Sequence, residues 1–218
     1  MDSNDVYIYM ACLAIAADYQ KKKMGRNRNF IEEEILDKAI MLFQQQGYSN
    51  TSPEQLVKAL GLSRSSLYST FGDKRGLLIR ALRRYQQLTA EVLENIKSEN
   101  VEPLEGISRI FDVSIKGCYY PGMPGGCFLV NSIIEFGPED NGPLEIVQES
   151  YMDCRAALLH FLTSAKKNNP KYKSLITETA ADYLINAISG IAVSAKAGMN
   201  ESTCRRMAEL NLSIFPKG

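Results

Sequence analysis

The stretch LGLSRSSLYSTFGDKRGLL, Leu60 to Leu78, puts a glycine, a serine-rich run, one tyrosine and a Lys-Arg pair side by side. Serine is a mediocre helix former and a good helix cap. Ser63 therefore reads as the cap of a short helix from Arg64 to about Phe71, which Gly72-Asp73 breaks before a longer helix starts near Lys74. Just upstream, Ser52-Pro53-Glu54-Gln55 has the spacing of a capping box, and Pro53 falls at the first helical position, where its missing N–H costs nothing. That helix runs through Leu56 to Leu60 and ends at Gly61. Two short helices joined by Leu60-Gly61-Leu62 have the dimensions of a helix-turn-helix.

Winding the second of these helices at about 100° per residue turns Leu67 and Phe71 inward, joined by Leu62 from the turn. Ser65, Ser66, Tyr68 and Ser69 point outward, with Arg64 at the edge near the helix start. A face this small and polar enters a DNA major groove without steric conflict. Its hydroxyls suit phosphates or base edges, and Arg64 suits guanine. Lys74 opens the next helix, where a cation and free backbone N–H groups together suit a phosphate. A serine-rich helix alone is an ordinary solvated turn; it is the whole combination that points to nucleic acid.

Charge supports this reading. The chain has 218 residues and zero net charge, yet residues 21–84 hold 13 Lys/Arg against 6 Asp/Glu. A basic segment beside an acidic remainder suggests an anionic partner for one end only. Five cysteines, at 12, 118, 127, 154 and 204, form no CxxC pair and fit a reducing cytoplasm. The single histidine, His160, argues against a histidine-based metal site or a catalytic triad. No cofactor is expected. Val6 to Ala17 is largely apolar but too short to span a bilayer, and Asp2 and Asp5 are the wrong flank for a signal peptide. It reads either as a short extra helix or as an upstream extension, since Met24 followed by GRNRNF resembles a natural start, and this apolar run is expected to have no role in DNA binding.

The fold class is all-α, because no stretch alternates like a half-buried strand. Ile31, Ile35, Ala39, Leu42 and Phe43 line one face of a first helix that Gly47 stops. The stripe Leu78, Leu82, Tyr85, Leu88, Val92 and Ile96 carries the helix after Lys74 out of the small domain and into the next. Beyond Asn100, helices are punctuated at Pro103, Pro121–Gly126, Gly137–Pro143, Asn168–Pro170 and Gly198. Tyr183 to Ala195 carries no charge, so burial nearly all round is expected, with Ala187, Ser189, Gly190, Ala192 and Ala195 allowing close helix approach.

Residues 28–75 resemble the N-terminal domain of the TetR/AcrR family of transcriptional repressors. The run from Ala39 to Leu78 follows the family's G-x-x-x-T-S pattern (Gly47, Thr51, Ser52) and its G-[LV]-S-x-x-[ST]-L-Y-x-x-F-x-x-K signature (Gly61 through Lys74). The resemblance implies phosphate contacts from Thr51 and Tyr68, base contacts from Arg64, Ser65 and Ser66, and backbone contacts from Thr70 and Lys74. Ser52, Ser63 and Ser69 complete the candidate DNA-binding set. A basic arm of Lys21, Lys22, Lys23, Arg26 and Arg28 suits a minor groove. The chain departs from many members at Pro53-Glu54, and Glu54 would repel phosphate. The expected partner is a double-stranded, palindromic DNA operator.

The implied organisation is an extension over 1–23, a DNA-binding domain over 24–84, and a regulatory domain over 85–218 that binds a small effector. Helices at roughly 175–197 and 201–213 would pair with a second copy in a four-helix bundle, with 183–195 as a plain core helix the alternative. The run Gly125 to Glu135, GGCFLVNSIIE, resembles a G-C-x-L-x-N segment of one branch of the family. Cys127 follows Pro124-Gly125-Gly126 near a helix N-terminus, a setting that lowers a thiol's pKa, although a lone cysteine is usually buried and inert. Phe111, Cys118, Tyr119, Met123, Cys127, Phe128, Asn131, Tyr151, Arg155 and Tyr183 mix aromatic and isolated polar groups and form the candidate pocket set. The reading is a ligand-responsive regulator, not an enzyme. The alternatives are a thiol sensor acting through Cys127, with Cys118 or Cys154 as resolving partners, and a cysteine enzyme using Cys127 and His160.

Overall fold

The computed structural model describes residues 28–119, 125–137 and 140–215, and its described residues fold as nine α-helices and one 3₁₀ turn. Residues 1–23, the arm residues Lys21, Lys22, Lys23 and Arg26, and the pocket candidate Met123 lie outside the described residues, as do the side chains of Arg28 and Ile31.

Helix α1 (Arg28–Gln46) buries Ile35, Leu36, Ala39, Ile40 and Phe43 and stops at Gly47, whose φ of 80° is left-handed. Helix α2 (Pro53–Leu60) starts with a complete capping box. Ser52 Oγ accepts the Gln55 backbone N–H at 3.2 Å, and Gln55 Oε1 accepts that of Ser52 at 2.7 Å. Gly61 closes it at φ 67°. Helix α3 (Arg64–Phe71) is capped by Ser63, which accepts the Ser66 N–H at 3.0 Å. Helix α4 (Lys74–Ser98) is capped by Asp73 and is about 37 Å long at the standard rise per residue.

The remaining helices are α5 (Pro103–Tyr119), α6 (Phe128–Phe136), α7 (Asn141–Asn168), α8 (Thr177–Lys196) and α9 (Glu201–Ser213), with the 3₁₀ turn Pro170–Tyr172 between α7 and α8. Pro143 sits inside the first turn of α7, where a backbone N–H has no intrahelical partner to lose.

Two apolar cores result, and α4 belongs to both. Leu77, Leu78, Ala81 and Leu82 pack with α1, α2 and α3, while Val92 and Ile96 pack with Ile107, Ile110, Phe111, Leu158, Phe161 and Leu184. The boundary at residue 84 thus falls in the middle of one continuous helix. The first core also takes in Phe128 and Leu129 of α6 and Ile146 of α7, so the N-terminal head is sealed by the body. In the second, α5 approaches α7 so closely at Gly106 that an added Cβ would lie 2.3 Å from the Phe161 ring.

The charge-free helix α8 departs from expectation. Ala181, Leu184, Ile185, Ile191, Ala192 and Ala195 are buried, but Tyr183 and Val193 are 43% and 45% exposed and Gly190 meets nothing. One face packs on the chain's own core and α9, and the other is left exposed among the described residues. Among the described residues no helix is long and apolar enough to cross a membrane, and no cluster of His, Cys, Asp and Glu is grouped to hold a metal.

Candidate nucleic-acid interface

Leu67 and Phe71 are buried at 1% and 5% exposure and anchor α3 on the head, while Arg64, Ser65, Ser66, Ser69 and Thr70 are exposed and Tyr68 is half-buried at its edge. The serines are already organised. Ser63 Oγ lies 2.9 Å from Ser65 Oγ and 2.8 Å from Ser66 Oγ, and Ser69 Oγ donates to the Ser66 carbonyl at 3.1 Å. Ser52 and Ser63 both serve as helix caps. The Arg64 guanidinium sits 5.8 Å from the Tyr68 ring centre and pairs loosely with Glu54 at 3.4 Å, both charges largely in solvent. Glu54 therefore occupies the arginine that the outward face offers to a partner.

Thr51 lies differently from the expectation of a phosphate contact. It is 1% exposed, and its hydroxyl donates to the Gly47 carbonyl at 2.6 Å. It pins the α1–α2 turn from behind instead of projecting from the surface.

Lys74 is half-buried with its ammonium 4.1 Å from the centre of the Tyr48 ring. Burial lowers its pKa, and the nearby Glu135 carboxylate opposes that shift. Tyr48 also packs at a tilt against Phe136 of α6, with ring centres 5.2 Å apart. Glu135 accepts the Tyr48 and Ser49 backbone N–H groups. Nearby, Gln44 donates to the Gly126 carbonyl at 2.8 Å, and Lys196 of α8 donates to the Gln44 carbonyl at 3.1 Å. None of these long-range contacts has a signature in the local sequence.

The basic excess of the head is partly answered inside the protein. Arg75 pairs with Asp140 and Arg83 with Glu149, both acids of the body. Arg84 holds Asp37 at 2.6 Å, and Arg80 pairs with Glu32 while bonding the Thr70 carbonyl at the end of α3. Burial raises the Asp37 pKa against the pull of Arg84. These arginines bind the head together and to the body.

Behind the head, α4 to α8 enclose a cavity of about 350 Å³. Of the pocket candidates, Cys118, Cys127 and Tyr151 line it. Among the described residues, the other candidates do not line it. Phe111 is filled into the second core, and Phe128 packs edge-on against Tyr85 with ring centres 5.7 Å apart. Tyr119 turns its hydroxyl to the Met199 carbonyl and Cys204, Arg155 pairs with Asp182 at 2.7 Å, and Tyr183 donates to Asn211 at 2.7 Å. Asn131 faces Gly126, its buried Nδ2 without a hydrogen-bond partner. Residue type suggested a pocket in each case, but helix phase sent these side chains elsewhere. Sequence reasoning missed Thr89, Ser114, Val130 and Ile188, which line the cavity and resemble ordinary core positions. His160 is exposed and meets Phe161 edge to face, while Cys127, which stands at the N-cap of α6 with no side-chain cap bond, receives the Tyr85 hydroxyl at 3.8 Å.

An exposed recognition-type helix behind a glycine turn, fused through one long helix to an α-helical body, defines a helix-turn-helix regulator. Residues 35–81 match the family model for bacterial regulatory proteins of the tetR family. Over 144 residues the chain is 33% identical to the uncharacterized HTH-type transcriptional regulator YezE of Bacillus subtilis (strain 168), covering 66% of this chain and 74% of that protein. It is 27% identical to the HTH-type transcriptional repressor ComR of Escherichia coli (strain K12), covering 90% and 94%. Among solved structures, a cysteine mutant of the TetR family regulator CifR complexed with 26-bp double-strand operator DNA aligns at a TM-score of 0.75 and 19% identity, covering 89% of this chain and 100% of that one. The reduced form of E. coli NemR aligns at 0.70 and 18%, covering 85% and 95%. The chain belongs to the TetR family of bacterial transcriptional regulators.

Proposed function

We propose that this protein is a homodimeric repressor in the cytoplasm that binds a palindromic double-stranded DNA operator and is released by a small effector. The observation that carries the reading is α4. One unbroken helix runs from Lys74, beside the exposed face of α3, to the cavity wall at Tyr85, Leu88 and Val92. Tyr68, Ser69, Thr70 and Lys74 are assigned to phosphates, and Arg64, Ser65 and Ser66 to base edges, with Ser52 and Ser63 presenting helix N-termini to the backbone. Thr51 holds the turn in place. The regulators that this chain resembles, among them a repressor and a protein solved on operator DNA, support the assignment.

Two recognition helices must enter successive major grooves about 34 Å apart. The open face of α8, continued by Leu210 of α9 and by Ile214 just after it at 69% and 57% exposure, suits a second copy of the chain. A ligand that favours a different spacing of the heads lowers operator affinity by linkage, with no contact to DNA. A gel-shift assay against the DNA upstream of the protein's own coding region tests the reading. A sequence-specific shift at moderate salt is expected, and its absence counts against the regulator.

A thiol switch is the second reading, favoured by Cys118, Cys127 and Cys154 sharing one cavity wall. Burial pushes the Cys154 thiol up to about 12, which keeps it protonated and makes it a poor resolving partner. Cys127→Ser separates the two readings. Release of operator by a reactive electrophile from the parent but not from the variant supports the switch, and equal behaviour removes it.

A further inference from the structure

The cavity differs from most ligand sites in what its wall lacks. Among the described residues that line it, none is Asp, Glu, Lys, Arg, His, Asn or Gln. Its hydroxyls are partly turned away as well. Thr89 donates to the Gln86 carbonyl at 2.8 Å, and Ser114 to the Ile110 carbonyl at 2.8 Å, each within its own helix. The remaining wall is mainly aliphatic, supplied by Leu88, Val92, Val113, Val130, Ile133 and Ile188 among others.

From this geometry we infer that the cavity binds an electrically neutral, predominantly hydrocarbon molecule of roughly 12–18 non-hydrogen atoms, carrying at most one or two hydrogen-bonding groups. The size follows from proportion, since a dry apolar cavity of about 150 Å³ accommodates benzene. Charge is excluded by desolvation. A carboxylate or ammonium entering this site gives up its hydration and finds no counter-charge among the described lining residues. The same hostility to charge is visible in the protein's own chemistry, where burial pushes the Cys154 thiol far above its usual value. Binding therefore rests on apolar contact, and a hydroxyl, ether or carbonyl on the ligand has only the few polar atoms of the wall to meet.

This inference deepens the effector reading and rests on it for its biological meaning, while its test does not need DNA. Two fluorescent probes share one framework and differ in charge: N-phenyl-1-naphthylamine is neutral, and 8-anilino-1-naphthalenesulfonate carries a sulfonate. The purified full-length protein is titrated with each. The expected result is saturable binding of the neutral probe at one per subunit, with the sulfonate at least tenfold weaker. Ser114→Leu and Ser189→Leu each fill the cavity without adding charge, and either should weaken the neutral probe at least tenfold while circular dichroism shows unchanged helix content. Two independent fillings keep the test decisive if one variant fails to fold. Equal affinity for the two probes, no binding of the neutral one, or unchanged binding in the folded variants overturns the inference. A parallel operator titration separates the two readings. Neutral probe bound in the cavity with operator affinity unchanged leaves the ligand class standing and removes the effector role.

Discussion

The Glu135 carboxylate accepts the backbone N–H of Ser49 at 2.6 Å, so that α6, whose first residues line the cavity, ends on the turn that leads into the helix-turn-helix. Tyr48 N–H donates to the same carboxylate at 2.9 Å, and Lys74 faces it across the Tyr48 ring. A displacement of α6 has two routes to α3, one through this clamp and one through α4. Glu135→Gln keeps the shape and removes the charge. It is expected to lower stability by about 1 kcal/mol, a value held down by the exposure of the site. It should also reduce the ratio of operator affinities with and without effector more than it reduces operator affinity itself. Equal loss in both quantities would mean that the clamp only stabilises the head.

The same clamp is acid-sensitive. Burial raises the Glu135 pKa, but the N–H groups of Ser49 and Tyr48 outweigh it and hold the carboxyl below its ordinary value. A depressed folded-state pKa contributes stability above the unfolded value of 4.5 and loses it as pH falls through the folded value. Denaturant titrations of the parent and Glu135→Gln should therefore differ at pH 7 and converge only as the pH falls below 4.5 and through the depressed folded-state value. A gap that persists unchanged into acid would contradict the assignment.

Phosphate and base contacts separate by their salt dependence. Lys74→Gln should weaken binding to all sequences alike and flatten the logarithmic salt slope by about one. Tyr68→Phe should weaken binding uniformly with the slope kept, and Arg64→Ala should relax preference at particular base pairs. Glu54→Gln releases Arg64 and removes a charge that repels phosphate, so it should tighten operator binding severalfold at low salt. Fluorescence anisotropy with operator and scrambled duplexes reads all four. Identical behaviour of the first three would dissolve the division into phosphate and base contacts.

Val193→Glu and Leu210→Glu place charges on the exposed face of α8 and α9. Sedimentation should show a monomer with helix content preserved, and operator affinity should fall at least tenfold because a single head cannot span two half-sites. A dimer that survives both changes would place the interface on another face.

Gly61 holds the turn of the helix-turn-helix at φ 67°, with open space where a Cβ would stand. Gly61→Ala therefore meets no clash, only the left-handed backbone penalty, and should cost about 1 kcal/mol in thermal or denaturant unfolding. A loss several times larger would reveal a packing role that the open space denies.

The helices of the head were legible because their causes are local. Ser52 with Gln55, Ser63 with Ser66, and the left-handed glycines at 47, 61 and 72 each act within a few residues, and the 3.6-residue period then chooses Leu67 and Phe71 as the buried side of α3. The exposed candidate DNA-binding face follows directly from that phase. What depended on tertiary structure is everything that joins distant parts of the chain. Composition counted Arg75 and Arg83 towards an anionic partner, yet their carboxylates come from Asp140 and Glu149 of the body. Residue type proposed Phe111, Phe128 and Tyr183 for the pocket, yet packing consumed the first two and turned the partly exposed Tyr183 to Asn211 of α9. The cavity, the Glu135 clamp and the exposed face of α8 arise from how helix surfaces meet, because periodicity states which side of a helix is apolar but not which neighbour covers it.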